Sequence, residues 1–254
     1  MPVNYDPEAR TYSGLWLGGW KYGFTDNPAW VMYCILTHKR AGLGRHLAPA
    51  LIDAGAYYQV AQYCDELVPD GRGGTEPRFQ CSVVLDQARP AFDVLNDFAS
   101  IFRGLTYYSA GAVSAVADGP REVSKIITPA NVIGGRITYS EAADDARHSV
   151  IAAQWKDPSQ DHKLVSETVE DGEMLRRYGY RRKTITAFAA KTRGQARRAA
   201  LWCLATEKWE SGVAKFSAGI ELAWLRPGDV IEFRLWAIGN CGTELEHFHR
   251  YILE

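Results

Sequence analysis

The stretch FQCSVVLDQARPAFDVLNDFASIFRGLTYYSAGAVSAVA, residues 79–117, sets the fold class of this chain. It opens with alternation. Phe79, Cys81, Val83 and Leu85 fall on one side of an extended segment, which predicts a strand over residues 78–85. The period then changes. Phe92, Leu95, Phe98, Ala99 and Phe102 recur at helical spacing, with Pro90 in the first turn, so a helix is expected over 88–102. Two short apolar runs, 105–108 and 112–117, flank Ala110-Gly111 and read as a hairpin. A strand, a helix and a hairpin whose apolar faces need one another make a compact α+β module.

Upstream, residues 11–24 carry Tyr12, Trp16, Trp20 and Tyr22 among several glycines and read as an extended edge or arm. Asn27-Pro28 then opens a helix: Asn27 can accept from the free N–H groups of the first turn, and Pro28 loses nothing there. That helix ends near Thr37, with Gly42 and Gly44 in the following loop and Trp30, Val31, Cys34 and Ile35 as its expected stripe. A second helix is expected from about 49 to 65, buried through Leu51, Ile52, Ala56, Val60 and Tyr63. VPDGRGG, residues 68–74, is a loop by composition.

Downstream the pattern is richer in strands, expected at 131–140, 149–155, 164–169, 183–190 and 213–220, with a short helix at 173–178. Thr192-Arg193-Gly194-Gln195 reads as a capping box for a helix reaching about Trp209. Gly119, Pro120 and Pro129 mark a boundary, giving an N-terminal part over 1–120 and a strand-rich part over 121–254. The whole is expected to be α+β, with mixed sheets and packed helices.

Composition excludes several classes. Apolar residues make up 46% and charged residues 23% of the 254, the balance of a globular chain rather than a disordered one. The run from Ala29 to Leu36 is far short of the ~18 residues that span a bilayer, and MPVNYDPEAR is no secretion signal, so no membrane anchor is expected. Cys34, Cys64, Cys81, Cys203 and Cys241 are an odd, scattered set that reads as reduced thiols. His247 and His249 share one side of a strand, but no third ligand has metal-site spacing. Gly42-Leu43-Gly44 lacks the third glycine and the preceding strand of a dinucleotide loop. Acidic pairs such as Asp65-Glu66 and Asp144-Asp145 read as solvated charges. No catalytic, cofactor or metal constellation is expected.

Charge is where the sequence departs from the ordinary. The chain's net charge is −1, yet residues 172–200 contain nine Lys or Arg and one acid, leaving +8 there and −9 elsewhere. Arg176, Arg177, Arg181, Arg182 and Lys183 surround Tyr178 and Tyr180, and Arg193 and Arg197 lie one helical turn apart. Such a segment suits contact with the acidic surface of a neighbouring copy. A nucleic-acid-binding module over 176–198 is the alternative. Trp16, Trp20 and Tyr22 are the aromatic candidates for subunit contact.

A set of blocks in conserved order places these features in a family context. VNYDPEARTYSGLW at 3–16, DNPAW at 26–30, LTH at 36–38, GLG at 42–44, QYCDELVPDGRGGTEPRF at 62–79, VLNDF at 94–98, VEDGEMLRRYG at 169–179, TRGQARR at 192–198 and RPGDVIE at 226–232 span about nine-tenths of the chain. Together they resemble the central hub region of the phage lambda tail tip protein J family; beyond Glu232 the likeness stops. The resemblance implies barrel-like hub domains and a virion structural role made in the bacterial host cytoplasm. It implies a trimer of copies joining tail-tube and other tail-tip proteins around a channel through which DNA passes. It implies neither catalytic residues nor cofactors, and receptor recognition belongs to a far C-terminal region of the family.

Overall fold

The computed structural model describes residues 1–85, 87, 89–141, 147–210, 212–238 and 244–252, leaving aside the side chains of 141, 234–238 and 244–252. Asp144-Asp145 and Cys241 lie outside the described residues, as do the His247 and His249 side chains. In chain order the elements are β1 (Tyr5–Asp6), β2 (Thr11–Tyr12), α1 (Pro28–Thr37), α2 (Ala54–Asp65), β3 (Leu67–Pro69), β4 (Thr75–Pro77), α3 (Ala91–Ile101), β5 (Gly104–Ser109), β6 (Ala112–Ala117) and β7 (Val123–Ile127). There follow β8 (Thr138–Glu141), β9 (Val150–Asp157), β10 (Lys163–Glu170), α4 (Gly172–Tyr178), β11 (Arg182–Thr186), α5 (Arg193–Trp209), β12 (Gly212–Lys215), β13 (Val230–Ile238) and β14 (Glu244–Ile252). Helices and small mixed sheets make this an α+β fold; among the described residues the sheets have two or three strands and none closes into a barrel.

The chain forms two compact units, one of residues 1–117 with 148–205, the other of 118–147 with 206–254. They are not the contiguous parts 1–120 and 121–254 that the sequence suggests. Residues 148–205 join the N-terminal part because α5 grips the segment around β4, as described below.

In the first unit, α1 begins as its sequence dictates: the Asn27 side chain accepts from the Ala29 N–H, with Pro28 next, a cap worth about 1 kcal/mol. Its buried face is Ala29, Met32, Tyr33 and Leu36 with Trp30, while Cys34 is exposed. Ala29 to Leu36 is apolar all round, so spacing alone could not choose the face. The expected second helix divides into a single 3₁₀ turn at Pro49–Leu51 and α2, restarted by Asp53, whose side chain accepts from the Ala56 N–H. Tyr57, Val60, Ala61 and Cys64 form its buried stripe. Beyond α1 the chain folds back onto the helix end, where Leu43 N–H bonds Ile35 O. A Cβ on Gly42 would strike that carbonyl, so this glycine serves the turn and not a phosphate.

The strand expected over 78–85 is not formed; its alternation holds at Phe79 and Cys81, which are buried with Ser82 exposed, and fails at Leu85, which is exposed. Its N–H groups go to scattered acceptors, Phe79 to Cys64, Cys81 to Asp26 and Ser82 to Ala189, rather than to one ladder. β5 and β6 form the expected hairpin, and α3 buries Phe98, Ala99 and Ile101 beside it while Phe92 is exposed.

β9 sits between antiparallel β10 and parallel β11. Its inner face, Ile151, Ala153 and Trp155, packs with Ala196, Ala200 and Leu204 of α5. In the second unit β13 pairs with β14 and β7, β12 with β8, and Ile127, Leu222, Ile231 and Phe233 form the core. Residues 131–135, expected to be strand, form two 3₁₀ turns instead, the first begun by Thr128-Pro129.

Candidate functional site

The basic segment splits into two halves with different fates. Its helical half, at the start of α5, faces inward. Thr192 caps the helix by accepting from the Gln195 N–H at 3.1 Å. Gln195 does not complete a capping box. Its amide is buried and turned onto residue 80, donating to Gln80 O at 2.9 Å and accepting from Gln80 N–H at 3.3 Å. That clasp replaces the neighbouring strand that segment 78–85 lacks.

Arg198, one turn on, meets Glu76 at 2.5 Å and donates to the Arg78 carbonyl at 2.9 Å. Gly194 lies against the same hairpin: a Cβ there would collide with the Glu76 carboxylate and sit 3.0 Å from the Asp70 carbonyl oxygen. Arg193 forks onto Glu167 of β10 at 2.6 and 2.8 Å, and Arg197 reaches the same carboxylate at 3.2 Å. Lys191 meets Asp26 at 2.7 Å. Lys191 and TRGQARR together therefore read in the structure as a clasp, the block binding α5 to β4 and β10 and Lys191 reaching the loop before α1.

Asp26 continues into a second polar network. Arg10 pairs with Asp26 and, at 2.8 Å, with Asp65. The other Asp65 oxygen accepts from Tyr12 at 2.9 Å and from Asn27 at 2.8 Å. Burial pushes the Asp65 carboxyl up, against the pull of Tyr12, Arg10 and Asn27; burial also pushes the Cys81 thiol up, to about 12. Such groups join elements together and offer no exposed acid, base or nucleophile.

The other half of the basic segment is outward. α4 is capped by Asp171, which accepts from the Glu173 and Met174 N–H groups, and Arg176 and Arg177 occupy its last turn, where cations suit the helix dipole. Arg177 and Arg181 lie over the Tyr178 ring, 5.1 and 5.8 Å from its centre. Arg176, Arg177, Tyr180 and Arg182 are exposed, and Lys183 is half-buried. The structure thus does not join Arg193 and Arg197 to this corner as equivalent outward cations, since both are engaged with Glu167.

The aromatic candidates divide too. Trp16 stacks on Tyr58 at 5.3 Å and Trp20 on Tyr33 at 4.3 Å, so both staple the N-terminal arm to α2 and α1. Tyr22 is fully exposed. Leu15, Leu17 and Phe24, missed from sequence, are each more than four-fifths exposed. For Leu15 and Leu17 the signal lies in the alternation Leu15-Trp16-Leu17, in which Trp16 is the packed residue.

A cleft of about 560 Å³ lies in the first unit, lined among others by Arg72, Trp155, Asp157, Glu167, Lys191 and Arg193. Glu167 holds Arg193, Lys191 holds Asp26, and Asp157 accepts from Ser159 and Gln160. Among the described residues no group of three His, Cys, Asp or Glu could hold a metal, and no helix is long and apolar enough to cross a membrane.

Residues 90–240 match the family of putative phage tail proteins known as Phage-tail_3, and the chain belongs to that family. Its curated relatives are more specific. The tip attachment protein J of Escherichia phage SECphi27 is 37% identical over 231 residues, 91% of this chain and 19% of that protein. The protein of the same name from Escherichia phage SECphi4 is 37% identical over 232 residues, 91% of this chain and 20% of the relative. The chain thus spans about a fifth of the length of either. Two solved structures are more distantly similar. One is from the virion of a native gene transfer agent, at 16% identity and TM-score 0.42 over 55% of this chain and 34% of that one. The other is the 43 kDa tail protein of prophage MuSo2 from Shewanella oneidensis, at 18% identity and TM-score 0.41 over 67% of this chain and 51% of that one.

Proposed function

We propose that this chain is a virion structural protein of a phage tail tip, part of a hub that connects the tail tube to the tip and encloses the DNA channel. The observation that carries this is the likeness to tip attachment protein J at 37% identity over 91% of the chain. Its partners are copies of itself, as a trimer, and neighbouring tail-tip and tail-tube proteins, with the outward corner of α4 and β11 and the N-terminal arm as contact surfaces. The barrel-like hub domains implied by the resemblance would then be completed by strands from those neighbours, because the described sheets are short and open. Its work is assembly, without catalysis or cofactor; the mutual engagement of the charged groups in the cleft supports this. The nucleic-acid alternative loses ground because Lys191, Arg193, Arg197 and Arg198 are all paired within the fold.

The test is placement in the particle. Antibody against the chain, viewed on virions by negative-stain electron microscopy, should mark the tail end away from the head. Virions without label there would overturn the reading. Light scattering of the protein that carries this segment should report a trimer, and a strict monomer at high concentration would remove the hub assignment.

A further inference from the structure

Among the exposed apolar side chains of the described residues, two groups lie in different units of the chain. The first is in the N-terminal arm, where Leu15 is 84% exposed, Leu17 88%, Tyr22 fully and Phe24 84%, with Lys21 the only charge between residues 11 and 25. Together these side chains offer roughly 600 Å² of contact area. That is the scale at which an apolar patch signals a binding surface, and it approaches the ~800 Å² per partner of a standard interface. The arm is rigidly backed, since Trp16 and Trp20 stack on Tyr58 and Tyr33. A pre-formed surface loses little entropy on docking.

The second surface is in the other unit. Ile133 is 64% exposed, Ile220 94% and Trp224 54%. They share one surface because Ile133 N–H bonds Ser217 O and Asn131 reaches Glu221 at 3.3 Å. Glu221, exposed beside Ile220, is the opposite charge to Lys21.

We propose that the arm strip of one copy docks on the Ile133–Ile220–Trp224 surface of a second copy, a head-to-tail contact in which Lys21 faces Glu221. Two different surfaces on one chain give a heterologous interface, which forms a ring where its rotation closes. This rests on the self-assembling role proposed above and assigns the surface that the N-terminal arm meets.

Sedimentation equilibrium of the full chain tests it, with two variants: Leu17→Glu with Phe24→Glu on the strip, and Ile220→Glu with Trp224→Glu on the second surface. All four side chains are mostly exposed, so the thermal unfolding of both variants should match the unmodified chain. Each variant alone should associate at least tenfold more weakly. An equimolar mixture should recover one-to-one dimers and nothing larger, because each pair retains one intact strip and one intact receiving surface. A variant that fails to fold cannot give that recovery, so recovery itself controls for folding. Oligomers of the unmodified chain that survive either variant would overturn this contact while leaving self-assembly standing. Loss of association by the strip variant alone, or no recovery on mixing, would also overturn it. A monomeric unmodified chain would overturn both the contact and the self-assembly on which it rests.

Discussion

Two parts of one basic segment, residues 176–183 and 191–198, look alike in sequence and behave oppositely in the fold. The second meets an acid at almost every turn: Lys191 meets Asp26, Arg193 and Arg197 meet Glu167, and Arg198 meets Glu76. In the first, Arg177 lies over the Tyr178 ring at the end of a short helix, and Arg176 and Arg182 are exposed. A run of like charge therefore does not define a single surface. What separates the halves is secondary structure. In α5, positions 194, 195 and 198 meet the β3–β4 hairpin and the segment after it, while 193 and 197 meet β10. α4 has only seven residues, and Arg176 and Arg177 sit in its exposed last turn.

The largest way to break this contrast is Arg198→Ala. It leaves Glu76 without its partner and strips a donor from the Arg78 carbonyl. Removing one member of a buried pair costs about 3–5 kcal/mol. With the side chains still 18% and 14% exposed, solvent screening lowers the expected loss to roughly 2–3 kcal/mol, read as a lower urea midpoint. Gln195→Ala comes next. It removes both bonds to the Gln80 backbone, so a loss of about 1–2 kcal/mol is expected. Faster amide exchange at residue 80 would show that the clasp, and not the cap, has been lost; an unchanged rate would contradict this account.

The comparison also shows which parts of the fold were legible. Asn27-Pro28 fixed the start of α1 to the residue, because a cap and a proline act locally. The β5–β6 hairpin, the short helix α4 and the strands β9 and β10 were equally local in their signals. Residues 78–85 were not, since whether an alternating segment joins a ladder depends on who stands beside it. Here the neighbour is a glutamine side chain 115 residues away in sequence. The same limit concealed the site. Nothing near Arg193 in sequence reveals Glu167, and nothing near Trp16 reveals Tyr58, so internal partners were read as outward contacts. The division of the chain is hidden for this reason too: the contacts that draw 148–205 back to the N-terminal part join residues far apart in sequence, polar pairs such as Arg198–Glu76 and apolar ones such as Phe188 on Phe98.

Acid sharpens the contrast more gently. The Asp70 carboxyl is held below its ordinary range by the Arg72 N–H and then the Gly74 N–H, in the hairpin loop that α5 packs against. Its folded-state pKa is depressed, so what it contributes is present above the unfolded-state value and disappears as pH falls through the folded one. Below about pH 4 the loop on the clasp side should loosen. Amide exchange at Arg72 and Gly74, compared at pH 3 and pH 6 after correction for intrinsic rates, should show a loss of protection. Asp70→Asn, which cannot titrate, should remove that pH dependence.

The smallest effect on stability is expected at the outward corner. Arg176→Ala, Arg177→Ala and Arg182→Ala together should leave the unfolding midpoint within about 0.5 kcal/mol of the unmodified chain, as exposed substitutions away from caps and cores do. If the corner meets acidic partners, the triple variant should instead change the salt dependence of association, because rim charges act through long-range attraction that salt screens. A drop in stability comparable to Arg198→Ala would mean that the corner, too, is part of the internal clasp. The two halves of the basic segment would then differ in degree and not in kind.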